Sequence, residues 1–470
     1  MSLRKFDTKV QHLKYKVMRE VARLAWDDRL TGEVLSVAKK IIPGKEATIR
    51  CCVYKERAVV EERIKLAMGF DLDESQAGRT IQVIDIACDD CPVGGYEVTG
   101  ACRGCMAKRC EDVCPRNAIV FDSKHVATID KDKCIECGKC EKACPFGAII
   151  NFKRPCQRAC HANAISMNEN HSAMVDPEKC VDCGACVYQC PWGAIADKSG
   201  ILDVISLLKS DMVYAVVAPS ISSQFTYATL PQVVSGIKAL GFHSVTEAAL
   251  GADMVALSES KELADKGLLA SSCCPAFVRY VSNTYPDLAV HVSHMLSPAA
   301  EISRYIKTTD PSAKIVFIGP CIAKKTEYGD GTKFIDAVLT FEELQALFAS
   351  RDLEIESMDG DTLQDASYYG RTFAKSGGVS GAVAQALVEN ELDFEVKAVA
   401  CSGLDECKAA LHRLRHGRLD GNFIEGMACS GGCIGGAGCL THGEKCKIEV
   451  EKYGKGAQAK TISEATKSVL

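Results

Sequence analysis

An α/β fold with parallel sheet, preceded by a cysteine-repeat module and a helical N-terminal region, is what this sequence predicts. Three observations carry it. From about residue 199 onward, short apolar runs (Val213 to Ala218, Ala313 to Ile318, and the less apolar Phe394 to Cys401) alternate with helical segments, the pattern of parallel strands joined by crossover helices. Between 81 and 198 four stretches end alike: Cys114-Pro-Arg-Asn-Ala-Ile, Cys144-Pro-Phe-Gly-Ala-Ile, Cys160-His-Ala-Asn-Ala-Ile and Cys190-Pro-Trp-Gly-Ala-Ile. Residues 1 to about 80 place apolar side chains at helical spacing: Leu13, Val17, Val21 and Leu24 within Val10 to Trp26, then a second segment from Val59 to Met68. The expected domains are therefore 1–80, 81–198 and 199–446, with a short charged tail, 447–470, packed on the surface.

Composition narrows the class. The chain has 470 residues, 25% charged and 47% apolar, and a net charge of −5, which gives no case for nucleic acid. No run of about 18 apolar residues appears, and the first residues lack the apolar core of a signal peptide, so no membrane span is expected and the cytoplasm is the default compartment. Cysteine is the anomaly, with 27 residues, many in C-x2-C spacing. In a reducing compartment that spacing reads as metal ligation rather than disulfides.

C-x2-C-x2-C-x3-C-P points to iron–sulfur clusters in particular, and each repeat resembles one half of a bacterial two-cluster ferredoxin. In such pairs the fourth cysteine of one half ligates the cluster of the other. That rule gives one 4Fe-4S cluster on Cys102, Cys105, Cys110 and Cys144, and a second on Cys134, Cys137, Cys140 and Cys114. A third takes Cys180, Cys183, Cys186 and Cys160. Cys190 and Cys156 are then two ligands short, and the otherwise unassigned Cys88 and Cys91 complete a fourth set; the alternative is a degenerate third repeat with Cys88 and Cys91 structural. Three or four accessory clusters are thus expected. Lys131, Lys133, Lys139, Lys142, Lys153, Arg154 and Arg158 surround these loops and form either a docking face for an acidic electron carrier or an ordinary solvated surface.

Downstream, three stretches rich in small residues supply four more thiols: Ser271-Ser272-Cys273-Cys274-Pro275, Gly319-Pro320-Cys321 running on to Lys324 and Glu327, and Glu425-Gly426-Met427-Ala428-Cys429 closing on Cys433. Cys274, Cys321, Cys429 and Cys433 suffice for one cluster. In order and separation these stretches resemble the three signature motifs of the iron-only (FeFe) hydrogenases, and the likeness covers roughly residues 81 to 446. The resemblance implies a two-lobed catalytic domain clasping an H-cluster, a 4Fe-4S cube bridged through Cys433 to a diiron centre carrying CO, cyanide and a dithiolate.

It also implies roles for particular residues. Cys273 matches the proton-relay cysteine. Glu259 and Glu262, in a Glu-x-x-Glu segment before the first motif, and Ser293 after it, match the rest of that relay; glutamates at helical spacing are otherwise surface charges. Lys324 matches a lysine that donates to cyanide, and Glu327 the acidic end of the same motif. Ala218, Pro219 and Ser220 match a loop touching the other cyanide, and Met427 a methionine over the diiron site. Phe373 matches a packing aromatic. Two departures stand out: Gly319 where the family often carries methionine, and Phe277 where it usually has tryptophan, both expected to loosen the apolar shell.

The reading that follows is a ferredoxin-linked hydrogenase interconverting protons and H2, dependent on separate maturation proteins for its diiron unit. A hydrogen sensor on the same cofactor is a second reading; it would be expected to lack the relay cysteine or carry a signalling domain. A third is a non-catalytic iron–sulfur protein of the assembly-factor kind. Cys401, Cys407, Cys439 and Cys446 read as structural thiols, and the adjacent Cys51-Cys52 as carrying no chemistry. Oligomeric state cannot be read from the sequence.

Overall fold

The computed structural model describes residues 6–327, 334–467 and 469. Two parallel sheets carry the C-terminal half. Strands Val213–Val217 and Lys314–Gly319 form the centre of one, flanked by Ser244–Glu247 and Ala337–Thr340. The other runs Leu269–Ala270, Phe423–Met427, Ala398–Ser402. Central strands covered on both faces read as continuous apolar runs, and Val213, Ala215, Val216 and Ile315 are fully buried. The third run is shorter than its sequence suggests. Its strand starts at Ala398, because the Asn422 side chain takes the Lys397 N–H (2.7 Å) and gives its own N–H to the Glu395 carbonyl (2.8 Å) at this sheet edge.

Parallel pairing brings the carboxyl ends of strands from both sheets to one place. Val213–Val217 runs into Ala218-Pro219-Ser220, Leu269–Ala270 into Ser271 to Cys274, Lys314–Gly319 into Pro320-Cys321, and Phe423–Met427 into Ala428-Cys429. Two backbone bonds fix these turns against one another: Ala218 N–H to Ile318 O (2.9 Å) and Ser271 N–H to Ile424 O (2.9 Å).

The cysteine repeats form short helices and antiparallel strand pairs, Ile119–Phe121 with Ala127–Ile129, Gly95–Val98 with Ile149–Phe152, Ile165–Met167 with Ala173–Val175, and Ile81–Val83 with Ile195–Asp197. Their common ending has a backbone cause. Asn117, Gly147, Asn163 and Gly193 all take positive φ (49°, 57°, 54° and 59°), a conformation open to glycine and tolerated by asparagine. That turn aims the next N–H back at the preceding sulfur: Ala118, Ala148, Ala164 and Ala194 donate to Cys114, Cys144, Cys160 and Cys190 Sγ at 3.2–3.4 Å. The third repeat, which lacks the proline, keeps this geometry.

The N-terminal region is not a separate appendage. Helix Lys9–Trp26 starts at a Thr8/Gln11 capping box and packs its Tyr15, Met18 and Val21 face on helix Phe341–Ser350. Lys14 Nζ bridges Asp197 and Glu342 (both 2.7 Å), and Lys325 Nζ bridges Asp197 (2.7 Å) and Glu343 (2.9 Å), so one buried ion network ties all three regions together. The second helix, Val53–Ala67, begins before the apolar periodicity, where Cys52 Sγ accepts the Lys55 N–H (3.4 Å) as its N-cap. Cys51 and Cys52 are exposed.

Two sequence expectations are corrected here. The tail does not lie on the surface: helix Glu444–Lys455 crosses the 446/447 boundary, and Val450 and Ile462 are fully buried against the catalytic domain, whose apolar clusters they complete. Arg154 does not belong to an exposed basic face; it is 1% exposed. Lys133 is paired with Asp130, and Lys131 stands 4.0 Å from Glu97.

Candidate metal centre

Cys274, Cys321, Cys429 and Cys433 converge where the strand ends meet. Burial raises the Cys429 thiol well above its usual range, and the charges of Cys321, Cys274, Cys183 and Cys433 reinforce it. Cys433 is pushed up to about 12 by burial and then by Cys274. Thiols held protonated in this way release their protons to a metal. Among the described residues no three His, Cys, Asp or Glu side chains approach closely enough for a single ion. An iron–sulfur cube, which spreads its ligand sulfurs around a bulky core, suits four converging thiols better.

The accessory thiols also gather in fours. Cys110 feels Cys144 and Cys105; Cys140 feels Cys134 and Cys114. Cys186 feels Cys183, Cys180 and Cys160. Cys156, raised to about 11 by burial, feels Cys190, Cys88 and Cys91, which the structure thus brings together. Cys102 and Cys137 line the first two cluster cavities with their partners. Cys156 neighbours Cys186, and Cys183 neighbours Cys274 and Cys429, so the fourth and third groups lead in turn toward the central pocket.

Around the pocket stand the residues matched to a diiron cofactor. Ser220 Oγ is buried and has no hydrogen-bond partner among the described residues, an unsatisfied donor on the Ala218-Pro219-Ser220 loop. Lys324, buried, gives Nζ to Ser297 Oγ (2.5 Å) and to Glu327. Ser297 in turn donates to Glu327, so the lysine is aimed by a residue that the sequence motifs did not flag; its signal is the Ser297-Pro298 helix start. Met427 and Phe373 are buried in one cluster beside Cys273 and Cys433. Glu425, also unflagged, is fully buried and caps helix Gly378–Glu389, accepting from Gly377 N–H (2.7 Å) and Ser380 N–H (2.9 Å). The orphaned hydroxyl, the buried ammonium and the four thiols fit an anionic cofactor with diatomic ligands.

Nor is the apolar shell loosened at either departure. Phe317 fills the space over Gly319, and Phe277 is fully buried with its ring against Gly426, where a Cβ would lie 2.2 Å from it.

A hydrogen-bonded line leads outward. Glu259 Oε1 accepts from Ser272 N–H (3.2 Å), at the inner side of this line. Ser293 Oγ donates to Glu262 Oε2 (2.9 Å), and Glu262 Oε1 meets Lys266 Nζ (2.8 Å) and the exposed His294 Nδ1 (2.7 Å). Burial lifts the Glu259 carboxyl to about 7, whereas Glu262, nearer solvent and held by Lys266, Ser293 and His294, is lowered. Cys273 is raised well above the usual thiol range by burial, with Glu259 the first of its charged neighbours. Glu259 Oε2 is buried and unpartnered among the described residues, an open acceptor at the inner end of the line.

Profile comparison identifies two domains. A family described as "Iron only hydrogenase large subunit, C-terminal domain" matches residues 211–437, and one described as "4Fe-4S dicluster domain" matches 101–148 and 154–194. Residues 211–437 thus form an iron-only hydrogenase domain, preceded by a 4Fe-4S dicluster domain. The chain is 30% identical over 257 residues to Iron hydrogenase 1 of Clostridium pasteurianum, a match covering 44% of this chain and 45% of that protein. The chain thus spans under half the length of that relative. It is 28% identical to the periplasmic Fe hydrogenase large subunit of Nitratidesulfovibrio vulgaris over 67% of this chain and 87% of that one. A shorter stretch, 143 residues, is 30% identical to the cytosolic Fe-S cluster assembly factor NAR1 of Eremothecium gossypii, covering 28% of this chain and 32% of that one. A solved variant of the FeFe-hydrogenase from Chlamydomonas reinhardtii superposes with a TM-score of 0.49 at 18% identity, over 57% of this chain and 93% of that one. No described helix is long and apolar enough to cross a membrane.

Proposed function

We propose that this chain is a working enzyme that interconverts protons and H2, taking electrons from a ferredoxin-like carrier through four accessory 4Fe-4S clusters. The observation that supports it best is the set of acids beside the thiol pocket: Glu259, buried next to Cys273, and Glu262, hydrogen-bonded to Ser293 and to the exposed His294. A protein that merely holds clusters needs no graded acids beside its thiol pocket; one that moves protons does.

Cys274, Cys321, Cys429 and Cys433 would hold the cube, with Cys433 also toward the diiron unit. The bound H-cluster supplies the redox chemistry at H2. The protein's own part is positional and protic. Lys324 and Ser220 would anchor anionic ligands by donation, while Met427 and Phe373 keep water away. Cys273 would carry the proton at Sγ, Glu259 would exchange it at the unpartnered Oε2, and Ser293 would pass it to Glu262. A Glu259 carboxyl lifted to about 7 can both accept and release at neutral pH. The cytoplasm, an exogenous maturation machinery and docking through Lys139, Lys142, Lys153 and Arg158 belong to the same reading.

The stretch shared with the assembly factor favours a second reading, a non-catalytic cluster protein. Infrared spectroscopy after anaerobic reconstitution and incubation with the synthetic diiron cofactor separates the two. Sharp CO and cyanide bands with fast H2 evolution are expected; protein that takes up iron but shows no such bands refutes the enzyme. Bands with only slow turnover indicate a sensor.

A further inference from the structure

We propose that Arg154 and Arg63 are buried cations that hold the cluster of Cys88, Cys91, Cys156 and Cys190 at the highest reduction potential of the accessory set, making it that set's electron reservoir. This rests on the four-cluster reading above.

Arg154 is 1% exposed, and every partner it has surrounds this cluster. Its Nη1 lies 3.6 Å from Cys88 Sγ and 3.2 Å from Met167 Sδ, its Nη2 donates to Cys91 O (3.1 Å), and its Nε to Pro92 O (2.8 Å). Arg63, 5% exposed, comes from the N-terminal region and donates to Gly193 O, three residues beyond Cys190. Its Nε is buried with no hydrogen-bond partner among the described residues, and of the anionic groups Cys190 acts on it most strongly. Among the described residues neither guanidinium pairs with a carboxylate. A buried guanidinium without a counter-ion is costly, and arginine does not escape by losing its proton.

The missing negative charge is that of the cluster. Four thiolates around an oxidised 4Fe-4S core leave a net dianion, and adding one electron makes a trianion. Two cations at buried range favour the more negative form, and a donor on a ligand sulfur does the same. The reduction takes one electron from an external donor such as dithionite and moves no proton.

The surroundings of the other groups differ. Arg103 and Arg109, beside the first set, are exposed and screened by water. Beside Cys180 of the third set the charges are already matched: Asp182, whose Oδ1 lies 3.8 Å from Cys180 Sγ, is paired with Arg279 (2.5 Å), so no unbalanced cation favours an added electron there. Near the fourth set, Arg50 is neutralised by Asp90, and Asp85 is exposed. The site lies beside the third set, Cys156 neighbouring Cys186, so an electron parked here waits one step from the cluster that feeds the pocket.

The test is a potentiometric titration of the reconstituted full-length protein, without diiron cofactor, followed by electron paramagnetic resonance. Iron and sulfide are measured first. A content of three accessory clusters, or one unaffected by Cys156→Ser, overturns the four-cluster reading itself. With four present, one accessory signal should appear at higher potential than the rest. Arg154→Gln and Arg63→Gln should each shift that signal alone to lower potential, and Arg154→Lys should keep most of the wild-type value. If Arg154→Gln fails to assemble the cluster, Arg63→Gln carries the test. A midpoint unmoved by Arg63→Gln, or moved equally at every cluster, overturns the reservoir.

Discussion

The ring of Phe317 occupies the space that a side chain at Gly319 would need. A Cβ built at Gly319 lies 2.6 Å from two atoms of that ring and 3.1 Å from Ala218 Cβ. The two residues stand two apart on strand Lys314–Gly319 and so face the same way. Lys324 Nζ lies 5.8 Å from the ring centroid, so the phenylalanine also lines the lysine aimed at the pocket. The larger residue at 317 fills the space that the glycine at 319 leaves.

Restoring a large residue at Gly319 alone should therefore overpack the shell. Gly319→Met is expected to destabilise the apoprotein by about 1–3 kcal/mol, the usual cost of added methylenes in a filled core. Combining it with Phe317→Ala should recover most of that loss in a urea unfolding midpoint. Equal stability of wild type and Gly319→Met would show that the ring moves aside freely.

Glu259 makes stability pH-dependent. Burial raises its carboxyl from the ordinary 4.5 to about 7. The unfolded chain gives up this proton near 4.5 while the folded chain keeps it, so the stability it contributes is whole below 4.5, declines as pH rises, and is fully lost above 7. The complete loss amounts to about 3 kcal/mol. Glu259→Gln, neutral throughout, should gain on wild type across that window in the apoprotein and lose turnover once loaded. A difference in unfolding midpoint that stays flat with pH would contradict a raised carboxyl at this position.

The buried network around Asp197 predicts what the N-terminal helices contribute. Lys14→Met leaves Asp197 and Glu342 short of a cation in a dry site, and breaking such a pair by removing one partner costs about 3–5 kcal/mol. Lys14→Met with Glu342→Gln should be more stable than Lys14→Met alone. A Lys14→Met protein with the wild-type denaturation midpoint would mean that residues 1–80 merely rest on the domain.

Much of this was legible beforehand because cluster ligands obey local spacing. The C-x2-C loops, the Asn or Gly before each Ala-Ile, and the three downstream motifs each carry their reason within a few residues. What was hidden depended on where a side chain goes after folding. Arg154 sits among lysines in sequence, and only the turn of Pro155–Ala159 buries it against Cys88. Val450 and Ile462 lie in a charged tail whose polar residues mask two core positions. Phe317 is two residues from Gly319, yet its cover of that glycine follows from strand alternation rather than from either residue alone. Ser297 and Glu425 act on the pocket through hydrogen bonds to residues far away in sequence, so no local motif announces them.

The most direct test of the proposed chemistry is the rate of H2 evolution from reduced viologen by wild type and Cys273→Ala, each reconstituted and loaded with the synthetic diiron cofactor. The account predicts the same iron content and the same CO and cyanide bands in both, with turnover in the variant reduced at least about a hundredfold, the scale of losing a positioned proton donor. A Cys273→Ala protein that evolves hydrogen at near wild-type rate would contradict the proton line from Cys273 through Glu259 to Glu262.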